Sequence, residues 1–104
     1  MATYQYRHGD TITMDPSVLT KRDGTAPDGT GGAGVFAWED FYGTLVFSRT
    51  ATIATANPLK LQYTFVTADG TRQGTFRAKW VYTYSGGVIE TFPTSPDDLL
   101  LVVY

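Results

Sequence analysis

The chain of 104 residues carries eight basic and ten acidic side chains, a formal net charge of −2, and no cysteine. This length predicts one domain spanning residues 1–104, because domains typically take about 100 to 150 residues. The lack of a basic excess argues against a nucleic-acid partner, and the lack of cysteine excludes disulfides and thiolate metal sites.

No stretch of the sequence approaches the 18 or more apolar residues of a membrane-spanning helix. Residues 1–10 also lack the basic-then-apolar order of a secretory signal. We therefore expect no membrane partner and a chain that is made in a cytoplasm.

The composition favours strands, with seventeen threonines, seven tyrosines, six phenylalanines and eleven glycines. β-Branched and aromatic side chains fit a pleated, half-buried surface, and glycine suits turns. Residues 11–19 show a weak strand-like pattern. The glycine-rich segment 23–34 predicts a flexible loop, because glycine weakens a strand.

The middle of the chain predicts three short strands. Residues 34–39 and 44–49 form the first two, separated by the turn residues 40–43. In residues 59–66 apolar side chains alternate with polar ones, which predicts a strand with one buried face.

The C-terminal third predicts a hairpin and a buried strand. In residues 75–84 alanine or an aromatic residue occupies every second position, from Phe76 to Tyr84, so these side chains share one face. The consecutive glycines Gly86 and Gly87 suit a tight turn into a second strand, residues 88–92. The apolar run 99–104 is typical of a strand buried on both faces, and we place it inside the sheet.

About seven short strands in a chain of this length favour an all-β fold, a two-sheet antiparallel β-sandwich. An OB-like barrel is the alternative. Such barrels usually bring basic residues to one strand face, and this sequence shows no such face.

The sequence offers little that indicates catalysis. The only histidine, His8, lies near Asp10 in a polar stretch. A triad would need one of four serines, Ser17, Ser48, Ser85 or Ser95. No flanking motif supports such a triad, and a solvated histidine is the simpler interpretation. We predict no enzyme and no cofactor.

Two other segments resemble ligand sites only superficially. Asp97-Asp98 falls on a predicted turn, where Ca²⁺ could bind carboxylates, but aspartate is also favoured at turns for its local hydrogen bonds. Residues 29–34 (GTGGAG) look like a phosphate-binding loop, but such loops need a following helix, and here a strand follows. We predict neither a metal site nor a phosphate site.

The surplus of aromatic residues is a mild argument for a partner, because tyrosine and tryptophan are enriched at interfaces. Trp80 shares a face with Phe76 and is expected in the core, whereas the placement of Trp38 is less determined. The candidate interaction surface comprises Tyr4, Tyr6, Trp38, Tyr42, Gly31 and Gly32.

An alternative function is a small carbohydrate-binding module for host adhesion, because sugars stack on exposed aromatic rings. The rings that would serve it are Trp38, Tyr42, Tyr82 and Tyr84. Burial of both tryptophans would remove most of the case for this function.

Residues 74–93 (GTFRAKWVYTYSGGVIETFP) resemble the end of small immunoglobulin-like domains from tailed bacteriophages, typified by the N-terminal module of baseplate upper proteins. The matching positions are Gly74, Thr75, Phe76, Arg77, Ala78, Tyr84, Gly86, Glu90, Thr91, Phe92 and Pro93. In the N-terminal half, Arg7, Gly9, Asp10 and Thr30-Gly31 also resemble the family's plan, whereas Gly29 stands where an apolar residue is usual.

This resemblance implies an immunoglobulin-like sandwich located in a virion. The chain would be a non-enzymatic structural protein, attached to the tail or baseplate or decorating the capsid in multiple copies. Its partners would be other phage structural proteins, bound through protein–protein contacts. Because termini often become ordered on a neighbour, we expect residues 2–9 to serve assembly without being needed for folding.

Overall fold

The computed structural model describes residues 2–14, 17–21, 23–93 and 99–104. Within these ranges the chain forms nine strands and one 3₁₀ helix, Thr67–Thr71. The strands are β1 (Ala2–Tyr6), β2 (Ser17–Val18), β3 (Ala33–Glu39), β4 (Leu45–Thr50), β5 (Thr52–Thr55), β6 (Lys60–Gln62), β7 (Gly74–Thr83), β8 (Ile89–Phe92) and β9 (Leu99–Val103). The described helical structure contains nothing long and apolar enough to cross a membrane.

The large sheet has six strands in the order β1-β9-β7-β3-β4, with β8 paired to β7. Strand β7 is ten residues long, so one of its edges accepts two partners in succession. Residues 74–78 pair with β9 and residues 80–83 pair with β8, while β3 lies along the other edge. The predicted hairpin of β7 and β8 is confirmed.

The large sheet is mixed, which corrects the prediction of a purely antiparallel sandwich. Strand β1 runs parallel to β9, from Ala2 opposite Leu99 to Tyr6 opposite Val103. These strands come from opposite ends of the chain. Parallel strands need long connections, so no local turn signal marks their pairing in the sequence.

The small sheet has three antiparallel strands in the order β2-β6-β5 and packs against the large one. Aromatic rings of the segment that directly follows β6 contact the large sheet: the ring centroids of Phe36 and Tyr63 are 5.2 Å apart, and those of Tyr6 and Phe65 are 4.0 Å apart. The chain is therefore an all-β, two-sheet sandwich, as predicted.

The core follows the two-residue alternation of the sequence. In β7 the side chains of Phe76, Ala78, Trp80 and Tyr82 are buried and those between them are not. The predicted alternation over residues 59–66 also holds, although the regular strand β6 is only three residues long and continues as a single bridge between Thr13 and Thr64. The alternation of buried and exposed side chains in this segment therefore extends beyond its hydrogen-bonded strand.

Strand β9 lies inside the large sheet between β1 and β7, as predicted. Its inward side chains Leu101 and Val103 are buried, whereas Leu100 and Val102 on the outer face are half-buried. The expectation of full burial on both faces is therefore met on one face only.

The glycine-rich loop ends two residues earlier than predicted, because Ala33 and Gly34 already belong to β3. Its backbone is closed by hydrogen bonds, from Gly29 N–H to the Ala56 carbonyl (2.7 Å) and from Gly32 N–H to the Gly29 carbonyl (3.1 Å). Asp28 accepts hydrogen bonds from the backbone N–H (3.0 Å) and hydroxyl (2.6 Å) of Thr30, a local turn that aspartate favours.

One charged side chain is fully buried in the described part of the chain. Asp69, in the 3₁₀ helix, accepts hydrogen bonds from the Tyr63 hydroxyl (2.6 Å), the Val66 N–H (2.9 Å) and Arg49 Nε (3.2 Å). A buried carboxylate needs such partners, because an unpaired one is strongly destabilising. Asp69 thereby joins the large sheet, the small-sheet segment and the connection into β7.

Candidate interaction surface

The described residues do not assemble a catalytic triad. His8 is exposed, and its Nδ1 lies 2.9 Å from the Tyr104 carbonyl oxygen and 2.8 Å from Gln73 Nε2. Ser48 lies on β4, at the opposite edge of the large sheet from β1, and four strand spacings amount to about 19 Å. Ser85 lies at the other end of the sheet, the side chain of Ser17 is not described, and Ser95 is outside the described residues.

Metal ligands are likewise not gathered in one place. In the part of the chain that the structure describes, no group of three or more His, Asp or Glu side chains is arranged to hold an ion. The predicted turn at Asp97-Asp98 lies outside the described residues.

Two members of the predicted interaction surface are buried, which corrects that prediction. Tyr6 has no solvent exposure, because its ring stacks on Phe65 and its hydroxyl donates a 2.7 Å hydrogen bond to the Asp10 carbonyl. Trp38 also has none, and its ring lies 5.1 Å from that of Phe47 between the two sheets. Trp38 Nε1 is buried and has no hydrogen-bond partner, and the ring is held by contacts with Phe36 and Phe47.

The remaining members of that predicted surface lie far apart. Tyr4 is half-buried beside Phe65 in the first strand. Gly31 and Gly32 lie in the loop before β3, whereas Tyr42 follows the end of β3, so strand β3 separates them. The six residues therefore do not form one surface, and Tyr42 alone contributes a largely exposed ring.

The β3–β4 tip, residues 40–45, is one of two turns in the described part of the chain at which more than one large apolar side chain is exposed. Tyr42 is 95% exposed, Leu45 56% and Phe41 51%. Asp40 Oδ1 accepts hydrogen bonds from the backbone N–H groups of Tyr42 and Thr44, both 2.9 Å, and Gly43 adopts φ +85°. The turn is thus closed on itself, and it holds its apolar side chains outward.

Charged groups fix this tip to its neighbours. Arg72 donates from its guanidinium to Asp40 Oδ2 at 3.3 Å, and the Arg77 guanidinium lies 5.1 Å from the centre of the Phe41 ring. The backbone hydrogen bonds from Thr44 and Tyr42, with the side-chain hydrogen bond from Arg72, hold the pKa of Asp40 below its usual value. The carboxylate that organises the turn is therefore ionised at neutral pH.

The β7–β8 tip, residues 84–89, is the second such place. Tyr84 and Val88 are joined by a 2.8 Å backbone hydrogen bond, and Gly87 at φ +86° bonds to the Tyr84 carbonyl, also at 2.8 Å. Val88 and Ile89 are each 65% exposed. The predicted Gly86-Gly87 turn therefore presents an apolar pair to solvent.

Tyr84 anchors the base of this tip. Its hydroxyl donates a 2.6 Å hydrogen bond to Glu90, and Lys21 Nζ lies 5.5 Å from the centre of its ring. Burial, followed by the contact with Glu90, raises the pKa of Tyr84 above its usual value. Tyr84 therefore stabilises the hairpin through these contacts and does not offer a free ring on which a sugar could stack.

The exposed apolar residues Phe41, Leu45, Val88 and Ile89 were not predicted from the sequence as surface groups. A signal for them exists: large apolar residues stand at the ends of predicted strands, next to glycine-containing turns, where polar residues are usual.

Comparison of the chain with protein-family models, with curated proteins and with solved structures finds no match.

Proposed function

We propose that this chain is a non-enzymatic protein–protein contact module of a tailed-bacteriophage virion, attached to the tail or baseplate or decorating the capsid. The observation that carries the contact role is the β3–β4 tip, where an almost fully exposed tyrosine stands on a turn locked by Asp40. Tyrosine and arginine are enriched among residues that dominate binding energies. Tyr42 lies at this tip, and Arg72 and Arg77 contact its residues Asp40 and Phe41.

The strand order supports an immunoglobulin-like assignment. In variable-type immunoglobulin domains, one sheet contains strands C′, C, F and G and the other contains B, E and D. Here β4, β3, β7 and β9 are consecutive neighbours in one sheet, and β2, β6 and β5 in the other. A tryptophan buried on the strand equivalent to C, another feature of such domains, corresponds to Trp38 on β3.

The phage setting rests on the resemblance of residues 74–93, which fold as β7, its turn and β8. A module of this kind needs rigid contact points more than catalytic groups, because virion proteins act through repeated contacts under the symmetry of the particle. The two hydrogen-bonded tips fit that requirement.

Carbohydrate binding is the weaker candidate. Of its four proposed rings, Trp38 and Tyr82 have no solvent exposure, and Tyr84 is occupied by Lys21 and Glu90. One exposed ring, Tyr42, is left to stack on a sugar, so nothing in the geometry favours a glycan over a protein partner.

The proposed function is tested on purified particles of the phage that encodes the chain. Quantitative mass spectrometry should find the protein in many copies per particle, and Tyr42→Ser should reduce that number without changing the thermal unfolding of the isolated domain. Absence of the wild-type chain from intact particles would refute the virion assignment. The same copy number for Tyr42→Ser would refute the role of the β3–β4 tip.

A further inference from the structure

Strand β4 is an open edge of the large sheet. Within the residues that the structure describes, β3 is the only strand paired with it. At six residues, β4 is longer than the strands at the other open edges, which are β1, β8, β5 and β2. An edge strand presents unpaired backbone N–H and C=O groups, so it is a template for pairing with another extended chain.

The backbone groups of Ser48 and Thr50 point away from β3. The Ala51 N–H donates to the carbonyl of Gly34 on the β3 side at 2.9 Å. In an antiparallel pair, residues bonded to the neighbouring strand alternate with residues whose N–H and C=O groups point to the other side. Counted back from Ala51, Thr50 and Ser48 are residues of the second kind. The register shift of the β3–β4 pair lies nearer the β3–β4 tip, outside residues 47–50.

The side chains of β4 leave this edge open to a strand. Natural edges are often blunted by lysine or proline, and the β4 sequence LVFSRT contains neither. Its one charged side chain, Arg49, is paired with the buried Asp69 at 3.2 Å. The Arg49 guanidinium also lies over the Phe47 ring, 4.9 Å from the ring centre. The edge therefore carries no unpaired charge that would repel another strand.

We propose that β4 pairs antiparallel with β4 of a second copy of this chain, with Ser48 opposite Ser48. The same strand lies on both sides of such a contact, so it is a closed two-fold contact that joins the two large sheets into one. The formal net charge of −2 opposes the approach of two copies only weakly. This inference adds a dimer contact to the proposed function and does not depend on it.

The side-chain order of β4 suits pairing with itself. With Ser48 at the centre, Phe47 of each copy lies opposite Arg49 of the other, which repeats between the copies the guanidinium–ring contact that exists within each. Thr50 then lies opposite Val46. Pairing Ser48 with Thr50 would instead place the two Arg49 side chains opposite each other, and like charges in that position are destabilising. The edge therefore favours a second copy in one register.

Single cysteines in the full chain test this register, because the chain has no cysteine of its own. Opposed, hydrogen-bonded residues of an antiparallel pair have Cα atoms about 5.5 Å apart, within the range of a disulfide. Ser48→Cys should therefore give a disulfide-linked dimer under mild oxidation with copper phenanthroline. Thr50→Cys is the matched control, because Thr50 is also exposed on β4, whereas the two Thr50 positions would lie about 14 Å apart. Ser48→Cys should cross-link at least about tenfold faster.

Proline at the same position tests the backbone hydrogen bonds. Ser48→Pro removes an N–H that points away from β3, so the β3–β4 pair keeps its own hydrogen bonds. Ser48→Ala, which keeps this N–H, is the control. In sedimentation velocity, wild type and Ser48→Ala should form a dimer as concentration rises. Ser48→Pro should weaken the dimer by about tenfold or more, because two central hydrogen bonds are lost.

A second variant leaves every backbone group in place. Ser48→Asp sets two like charges opposite each other across the two-fold contact, which should also weaken the dimer. Circular dichroism and thermal unfolding establish which variants are folded, and only folded variants are compared. The cross-linking of Ser48→Cys and the effect of Ser48→Asp keep the test decisive even where Ser48→Pro does not fold.

Three results would overturn the inference. The wild-type chain could stay monomeric up to about 1 mM, a concentration at which even weak contacts form. Thr50→Cys could cross-link as fast as Ser48→Cys, which would contradict the register. Folded Ser48→Pro or Ser48→Asp could dimerise as tightly as wild type, which would mean that the copies meet elsewhere. The virion assignment is decided separately by the copy number of the chain in particles, and its failure would leave the dimer contact standing.

Discussion

The hydroxyl of Tyr82 donates a hydrogen bond to the carbonyl oxygen of Gly29, which joins the long strand β7 to the loop before β3. The ring of Tyr82 lies against the loop so closely that a Cβ on Gly29 or Gly32 would overlap it. These glycines are therefore required by close packing on an aromatic ring, whereas the sequence alone suggests only a loop that cannot form a strand.

We expect Gly32→Ala to lower the free energy of unfolding by about 1–3 kcal/mol, the usual cost of overpacking. The new Cβ would lie 2.5 Å from the backbone oxygen of Thr83, which cannot move without disturbing the strand. Gly86→Ala is the control, because no atom lies within 4 Å of its added Cβ, and it should change stability by less than about 0.5 kcal/mol. Equal effects in urea unfolding would contradict the packing described.

Local patterns predicted much of the fold. Alternation identified the buried faces of β7 and of residues 59–65, and the Gly86-Gly87 turn identified the β7–β8 hairpin. The parallel pairing of β1 with β9 was not predictable, because it joins distant segments with no turn between them.

Less of the candidate site could be predicted. Tyr6, Trp38 and Tyr42 are all aromatic, and the burial of each depends on whether its side chain points between the two sheets. For Tyr6 that information resides in Phe65, which is distant in the sequence and stacks on it. For Tyr42 the deciding contacts are the hydrogen bonds of Asp40, which close the β3–β4 turn with the Tyr42 ring outside the core.

Tyr6→Ala should lower the free energy of unfolding by about 3–5 kcal/mol, the cost of removing a large aromatic side chain from a core. Tyr42→Ala should change it by less than about 0.5 kcal/mol, because that ring is 95% exposed. Guanidinium unfolding measures both. Similar losses for the two variants would show that the N-terminal strand is not packed as described.

The same packing argues against the expectation that residues 2–9 are dispensable for folding. They contain β1, whose Tyr6 is fully buried on Phe65, and their removal would uncover one edge of β9. We now expect deletion of residues 2–9 to abolish cooperative thermal unfolding. A cooperative thermal transition of the shortened chain at the wild-type temperature would show instead that residues 2–9 are not needed for folding.

Asp69→Asn should lower the free energy of unfolding by about 2–4 kcal/mol, since it removes a buried charge that is paired with Arg49. Arg72→Gln, which breaks the more exposed pair with Asp40, should cost no more than about 1 kcal/mol. Urea unfolding at neutral pH compares the two variants. A smaller loss for Asp69→Asn than for Arg72→Gln would contradict the structural role of Asp69.

Alkaline pH should destabilise the protein through Tyr63. Burial, together with the hydrogen bond to Asp69, raises the pKa of Tyr63 above its usual value of 10.0. The folded state thus favours the protonated phenol, so its contribution to stability is full below pH 10 and declines above it, as the unfolded chain loses the proton first. Tyr63→Phe should be less stable than wild type at pH 7 but should lose stability less steeply above pH 10. An unchanged slope would contradict this pKa shift.

Hydroxyl-radical footprinting with mass spectrometry, applied to the isolated domain and to purified virions, most directly tests the proposal that Tyr42 on the β3–β4 tip contacts a partner in the virion. Trp38 and Trp80 are buried and Tyr42 is 95% exposed, so in the isolated domain oxidation should mark Tyr42 and spare both tryptophans. In virions Tyr42 should become protected while the tryptophans stay protected. Oxidised tryptophans in the folded domain, or equal oxidation of Tyr42 in both samples, would contradict the account.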